Sequence, residues 1–452
     1  MQRLRSRRLS RAAPWLLAAA FCLPGGATAD APAMPVILPL ERQAEVVDAW
    51  TAARAREVLP SLMQRAGLDM WLIIGREYNE DPVLETMLPA RWLSARRRTM
   101  LMIHDPGDGA PLETLAVARY GVGEVFRQAW DPAVEPDQWR RLAALIEARD
   151  PQRIGINVSE HFALADGLSH TEHELLAAAL PERYRQRLVS AEAAAIGWLE
   201  TRTAAEMTVY RQICRMAHAI IAEGLSEAAV QPGLTTTGDL EWWFRERVRA
   251  LGLEVWFHPS VSLQRQPDAA AGTALADEGE AVILPGDLLH VDFGITYLRL
   301  NTDTQQHAYV LRPGETEAPE PLRRALALGN RLQDILTAEF ASGRTGNDIL
   351  AAVRARAVDE GIEPSIYTHP IGYHGHGAGP TIGLWDQQDG VPGKGDYRLF
   401  PDTAHSIELA AIVDVDGWGT IRIKLEEDAF FDGESVRYID GRQTDLHLIP
   451  RP

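Results

Sequence analysis

Four carboxylates and one imidazole in the C-terminal half have the types and order of a catalytic or cation-binding site: Asp292, Asp303, His376, Glu408 and Glu426. Asp292 ends the apolar run 288–292, and Asp303 follows eleven positions later. Gly294 and Asn301 permit a turn between them, so the two acids fall on adjacent strands and can converge; a solvated hairpin has the same spacing. His376 sits in His376-Gly377-Ala378-Gly379, where the glycines let backbone or a metal approach closely. Glu408 interrupts the apolar stretch 406–413, and a carboxylate is costly to bury there unless something pairs with it. Glu426 opens the run Glu426-Glu427-Asp428, whose members repel one another until a cation neutralises some of them.

Other chemistries lack their defining residues. The sequence contains no GxxxxGK[ST], no HExxH and no CxxC, which removes a phosphate-binding loop, a zincin site and a dithiol centre. Asp292-Phe293-Gly294 imitates a kinase metal motif without the Gly-rich and HRD loops that must precede it. The glycines around His376 do not form GxGxxG, so no dinucleotide site follows.

The order Asp, Asp eleven later, His in HxxG, Glu in an Ile-Glu strand and Glu in Lys424-Leu425-Glu426-Glu427-Asp428 resembles the creatinase/aminopeptidase P/methionine aminopeptidase superfamily. It is most similar to the branch with a creatinase-like N-terminal domain, which includes Xaa-Pro aminopeptidases and Xaa-Pro dipeptidases. The match spans about 203–431. The resemblance implies an α+β fold: a pita-bread catalytic domain over 196–452, preceded by a smaller α/β creatinase-like domain over 30–195. It implies two divalent ions, Asp292 and Asp303 holding one while Asp303, His376, Glu408 and Glu426 bind the other. Glu408 then serves as ligand and proton shuttle. Oxygen-rich ligation favours Mn, with Co or Zn as alternatives. The expected protein is an exported aminopeptidase cleaving before proline in small peptides, and a homodimer. An Xaa-Pro dipeptidase or another amide hydrolase of this fold is the first alternative; a non-catalytic, metal-bound peptide-binding protein is the second.

Two family histidines are missing at their expected places. One normally follows the metal His by seven residues in a Val-His-Asp or Val-His-Glu sequence, and counting from His376 gives Gly383. The other precedes the first Asp by some twenty residues, where the chain reads Asp268-Ala269-Ala270-Ala271-Gly272. Such hydrogen-bond donors contribute about 2.7–4 kcal/mol. His374, two residues from His376, is the leading replacement and the second expected catalytic residue; His369, His258 and Arg265 are the others.

The elements that position these residues follow from periodicity. In the first half, a helix is expected over 41–65, buried strands over 70–74 and 99–103, a hairpin partner over 115–117, helices over 138–147 and 172–179, and a strand over 154–158. In the second, Thr203 and Glu206 cap a helix over 203–221, and Gly252 ends another over 237–251. Strands over 255–257, 288–292 and 307–311, a helix over 322–340, and strands over 406–415 and 420–430 complete a largely antiparallel unit. No repeat of 20–50 residues is present.

Charge narrows the partners. Among 452 residues, 63 acids outweigh 45 bases for a net charge of −18, which opposes binding to nucleic acid or an anionic membrane. The longest basic cluster, Arg3 to Arg11, precedes an apolar run over 12–23 and the small residues Ala27-Thr28-Ala29, the pattern of a signal peptide over 1–29 and of an exported, periplasmic or secreted protein. No apolar run is long enough to span a bilayer. Cleavage removes five arginines and Cys22, leaving a net charge of −23 and the single Cys214, a buried filler rather than a nucleophile.

Overall fold

A strand that is apolar at successive positions must be covered on both faces, and Met70–Arg76 is buried at every position up to its closing arginine. In the computed structural model, which describes residues 33–107, 109–267 and 280–451, this strand lies inside a six-stranded sheet. It pairs antiparallel with Arg98–His104 and parallel with Ile154–Ile156. Glu113–Val117 and Arg127–Gln128 extend the first edge and Leu188–Ser190 the second. Side chains alternate between the faces: Trp71 and Ile73 pack with Leu62, Met63 and Trp198, while Met70, Leu72 and Ile74 pack with Leu142, Ile146 and Leu176. The signal-peptide region, Cys22 and the stretch 268–272 lie outside the described residues.

The helix expected over 41–65 is two helices, Leu40–Glu57 and Leu59–Ala66. Pro60 lacks an N–H and its ring crowds the preceding turn, so the chain restarts there, and Gly67 stops it with φ of 61°.

Downstream, Thr203, Thr236 and Thr345 each cap a helix through a reciprocal side-chain and backbone pair with Glu206, Asp239 and Asp348. The capped helices are Ala204–Gly224, Thr237–Ala250 and Gly346–Asp359. With Glu320–Thr337 they form two pairs, each preceding a group of strands: Ser260–Gln264, Leu288–Phe293 and Thr304–Val310 after the first, Glu363–Ile366, Leu409–Val415 and Gly419–Leu425 after the second. The order helix, helix, strands thus occurs twice, on a longer scale than a short repeat. Pairing is antiparallel except where His447–Ile449 joins Thr304–Val310 in parallel. Residues 255–257 form no strand; Trp256 and Phe257 instead pack edge to face in a loop, and the strand starts at Ser260. No helix among the described residues is long and apolar enough to cross a membrane.

A buried ion cluster ties the first helix to this second part. Arg54 Nη1 donates to Glu206 at 2.9 Å, Arg202 Nη1 lies 3.5 Å from the same carboxylate, and Tyr373 Oη donates to it at 3.2 Å. Burial alone would raise the Glu206 pKa, but the two guanidiniums hold it below the usual range. Removing one partner leaves buried charge uncompensated. Glu206→Ala is therefore expected to lower unfolding free energy by about 3–5 kcal/mol in urea titration; an unchanged midpoint would show that the cluster does not hold the two parts.

Candidate metal centre

Two strand groups expected to be continuous are broken at their carboxylates. Thr403–Ser406 and Leu409–Val415 belong to different sheets, and the chain crosses between them at Ile407-Glu408. Gly419–Leu425 and Asp428–Phe431 are divided in the same way at Glu426-Glu427. Glu408 and Glu426 therefore stand at the seam between two sheets, where backbone pairing is interrupted and side chains can point inward. Across the seam, Gln305 and Glu426 exchange backbone hydrogen bonds at 3.0 and 3.2 Å. Asp292 lies opposite Gln305 in the neighbouring strand pair, and Asp303 immediately precedes the strand Thr304–Val310.

The structure brings Asp292, Asp303, His376, Glu408 and Glu426 together, with His369 added. One ligand atom each of Asp292, Asp303 and Glu426 lies within 4.8 Å of the others; the same holds for Asp303, His369 and His376, and for His369, Glu408 and Glu426. His369 Nε2 is 3.7 Å from Asp303, 3.7 Å from Glu408 and 3.5 Å from Glu426. His369 is 7% exposed, whereas His376 is exposed beside the cavity.

The donor set fits divalent cations. Burial, reinforced by the neighbouring carboxylates, raises the pKa of Asp292, Asp303 and Glu408 well above the usual range. Asp292 Oδ1, Asp303 Oδ1 and His369 Nε2 are buried without a hydrogen-bond partner among the described residues. His369 Nδ1 is 3.0 Å from the Pro370 carbonyl, so a proton on that nitrogen is satisfied and the Nε2 lone pair faces the acids. A lone pair aimed at carboxylate oxygens is repulsive unless a cation lies between them.

A second layer of polar groups orients the acids. Gln305 Nε2 donates to Glu426 at 2.6 Å and also to Glu408, and its Oε1 faces His290 Nε2 at 2.8 Å. Burial pushes the His290 pKa far down, so the neutral ring donates and fixes which end of the Gln305 amide meets the acids. Ser406 Oγ donates to Glu426, and the Asp303 amide is 3.3 Å from Asp428. Cys214 is buried with its thiol toward Asp428, and burial raises its pKa well above normal, so it remains an inert thiol.

A cavity of about 510 Å³ opens onto Glu408, His369 and His376. Tyr367 and Lys394 line it, with Phe162 and Leu164 reaching in from the N-terminal part. His374 neither lines this cavity nor joins a ligand group; it is partly buried, and burial together with Arg202 pushes its pKa down to about 4. His258 packs at a tilt against Trp242 at the surface, and Arg265 forks onto Asp287 at 2.6 Å. Trp256 packs its indole edge to face with His376 at 5.1 Å, and a Cβ on Gly375 would fall 2.3 Å from that indole, so glycine is required there.

His369 carried a readable signal. His369-Pro370-Ile371-Gly372 is also an HxxG, and His376 stands seven residues beyond it.

With the site in view, comparison with known proteins is direct. Residues 209–427 match metallopeptidase family M24, and the chain is a metallopeptidase of the creatinase/aminopeptidase P superfamily. Its catalytic unit is the pita-bread domain with a preceding N-terminal domain. The X-Pro aminopeptidase of Thermotoga maritima is 15% identical with a TM-score of 0.60, covering 86% of this chain and 99% of its own. The Xaa-Pro dipeptidase of Bacillus anthracis is 16% identical with a TM-score of 0.57, covering 91% of this chain and 100% of its own. No curated protein sequence matches the chain.

Two predictions follow from this geometry. The raised acids bind protons more tightly folded than unfolded, so their contribution to metal-free stability is full below the ordinary carboxylate pKa of about 4 and is lost as pH rises through the raised values. The melting temperature of metal-free protein is expected to fall between pH 5 and pH 8, and saturating Mn to restore more at pH 8; a metal-free value that rises over this range would refute the cation requirement. Gln305→Ala, which frees both glutamates, is expected to weaken metal binding about 10- to 100-fold by calorimetry while circular dichroism stays unchanged.

Proposed function

We propose that this protein is an exported dinuclear aminopeptidase that removes the residue preceding proline from short peptides. The observation that carries the reading is the set of four carboxylates and His369, reached through Glu408 and His369 from a cavity sized for a small peptide. Asp292, Asp303, Glu408, Glu426 and His369 are the proposed ligands of two divalent ions, with Mn favoured by the oxygen-rich set. His369 replaces the expected His376 as ligand because its Nε2 is buried, unpartnered and aimed at three of the acids. His376 then occupies the place seven residues later, where the family keeps a substrate-contacting histidine, and His374 has no role at the reacting centre.

When bound, the ions would polarise the scissile carbonyl and lower the pKa of the attacking water. Glu408, at the edge of the cavity, takes the proton from that water and delivers it to the leaving amine. Burial and nearby Glu408 raise the Tyr367 pKa well above normal, so its hydroxyl stays protonated and can donate to the developing oxyanion. Burial lowers the His376 pKa, leaving a neutral ring with one N–H to donate. Phe162 and Leu164 close the cavity with apolar surface that excludes water and suits a proline ring.

Lys394 is the cavity's lysine, and its ammonium suits the free carboxylate of a very short substrate. This favours a second reading, an Xaa-Pro dipeptidase of the same mechanism. The arginine-rich, then apolar N-terminus supports export, and the family resemblance supports a homodimer.

Mn-loaded protein assayed on Xaa-Pro and Xaa-Pro-Xaa peptides separates the readings. Glu408→Gln is expected to lower kcat at least 100-fold, and Lys394→Ala to raise KM for dipeptides more than for tripeptides. Hydrolysis of dipeptides alone would select the dipeptidase, and metal binding without any turnover would refute both.

A further inference from the structure

Against a net charge of −18, one place on the N-terminal sheet collects positive charge. Arg96, Arg97 and Arg98 are consecutive, and consecutive side chains of an extended strand point to opposite faces. Arg97 breaks that alternation with φ of 56°, a left-handed conformation that a side chain bearing Cβ rarely adopts. The turn is pinned by the Glu77 amide, which donates to the Arg97 carbonyl at 2.8 Å, and by the Ala95 amide, which donates to Glu80 at 2.8 Å. As a result all three arginines line one cavity of about 430 Å³, joined by Arg76 and Arg119.

These guanidiniums are held in place. Buried Glu172 accepts from Arg98 at 2.7 and 3.1 Å and lies 3.2 Å from Arg76, so one carboxylate anchors two arginines. Arg96 lies over Trp92, Arg98 over Trp139 and Arg119 over Trp130, at 5.4, 5.2 and 5.7 Å from the ring centroids. Among the described residues, no carboxylate lies within 4.0 Å of Arg96, Arg97 or Arg119. Glu77 is the cavity's own acid, so five guanidiniums meet two carboxylates, Glu77 and Glu172. Cations concentrated in this way repel one another, and a strained backbone that gathers them is the mark of a site rather than of a solvated surface.

We propose that this cavity is an anion-binding site for a small, multiply charged oxyanion of the phosphate type, either free or as a group on a small metabolite. Guanidinium forks match phosphate oxygens two at a time, and three uncompensated forks call for more than one negative charge. The cavity shares no lining residue with the peptide cavity, so the two sites are separate places on the protein.

Calorimetric titration of the metal-loaded full-length protein with inorganic phosphate at 0.15 M salt tests this, with acetate as the singly charged control. Saturable phosphate binding without acetate binding is expected, with affinity falling as salt rises. Arg96→Glu with Arg119→Glu, both exposed, is expected to reduce affinity at least tenfold while Xaa-Pro hydrolysis is unchanged. The milder Arg96→Gln with Arg119→Gln should give a smaller loss, keeping the test valid if charge reversal disturbs the fold. A glucose 6-phosphate arm separates free phosphate from an esterified group. Equal binding by wild type and both variants would place phosphate at the metal centre and overturn the proposal, as would the absence of phosphate binding at millimolar concentration.

Discussion

Four carboxylates, two buried and two half-buried, gathered at one seam are the constraint from which the rest of the structure can be understood. At the short distances here, like charges in a poorly solvated interior cannot all ionise without a cation among them. The polar groups around them are arranged accordingly. Gln305 and Ser406 donate to carboxylate oxygens, His290 fixes the Gln305 amide, and His369 turns its Nε2 lone pair inward when Nδ1–H donates to the Pro370 carbonyl. None of these groups neutralises the centre; each leaves a particular lone pair free for an ion.

Geometry of that kind needs a rigid support, which comes from the segment 369–379 and its neighbours. Tyr373, in the middle of this segment, reaches back to the Glu206 cluster and thereby to Arg54 in the first helix. Trp256 packs against Gly375 and His376 from the other side and donates to the Thr302 carbonyl at 2.9 Å, one residue before Asp303. The N-terminal part therefore does more than precede the catalytic part: it supplies one wall of the cavity and one end of the ion cluster.

Much of this was legible in the residues. The four acids were marked by order and by their apolar settings, because an acid inside an apolar run has few explanations. The capping threonine at 203 and the doubly buried strand at 70–74 were equally clear, since both depend on local rules. The histidines were harder: two HxxG sequences lie seven residues apart, and the structure places both His369 and His376 beside the acids, the first buried and the second exposed. The helix Gly346–Asp359 buries Ile349, Leu350, Val353 and Ala357 on one face, but the other apolar positions are mostly alanines, which suit buried and exposed faces alike and blur the stripe. The strand breaks at Glu408 and Glu426 could not be read either, because the flanking residues favour strands on both sides; the break is imposed by two sheets competing for one chain.

The seam has a consequence for the order of folding. Its ligands come from strands far apart in sequence, and the last carboxylate arrives on the return strand after Gly419. Long-range pairing of this kind forms late, after local helices and hairpins. Until then Asp292 and Asp303 remain a solvated pair with weak repulsion, and only sheet closure makes their charge costly. The need for a countercharge therefore arises only at the final step, when the closing sheets bring the acids together.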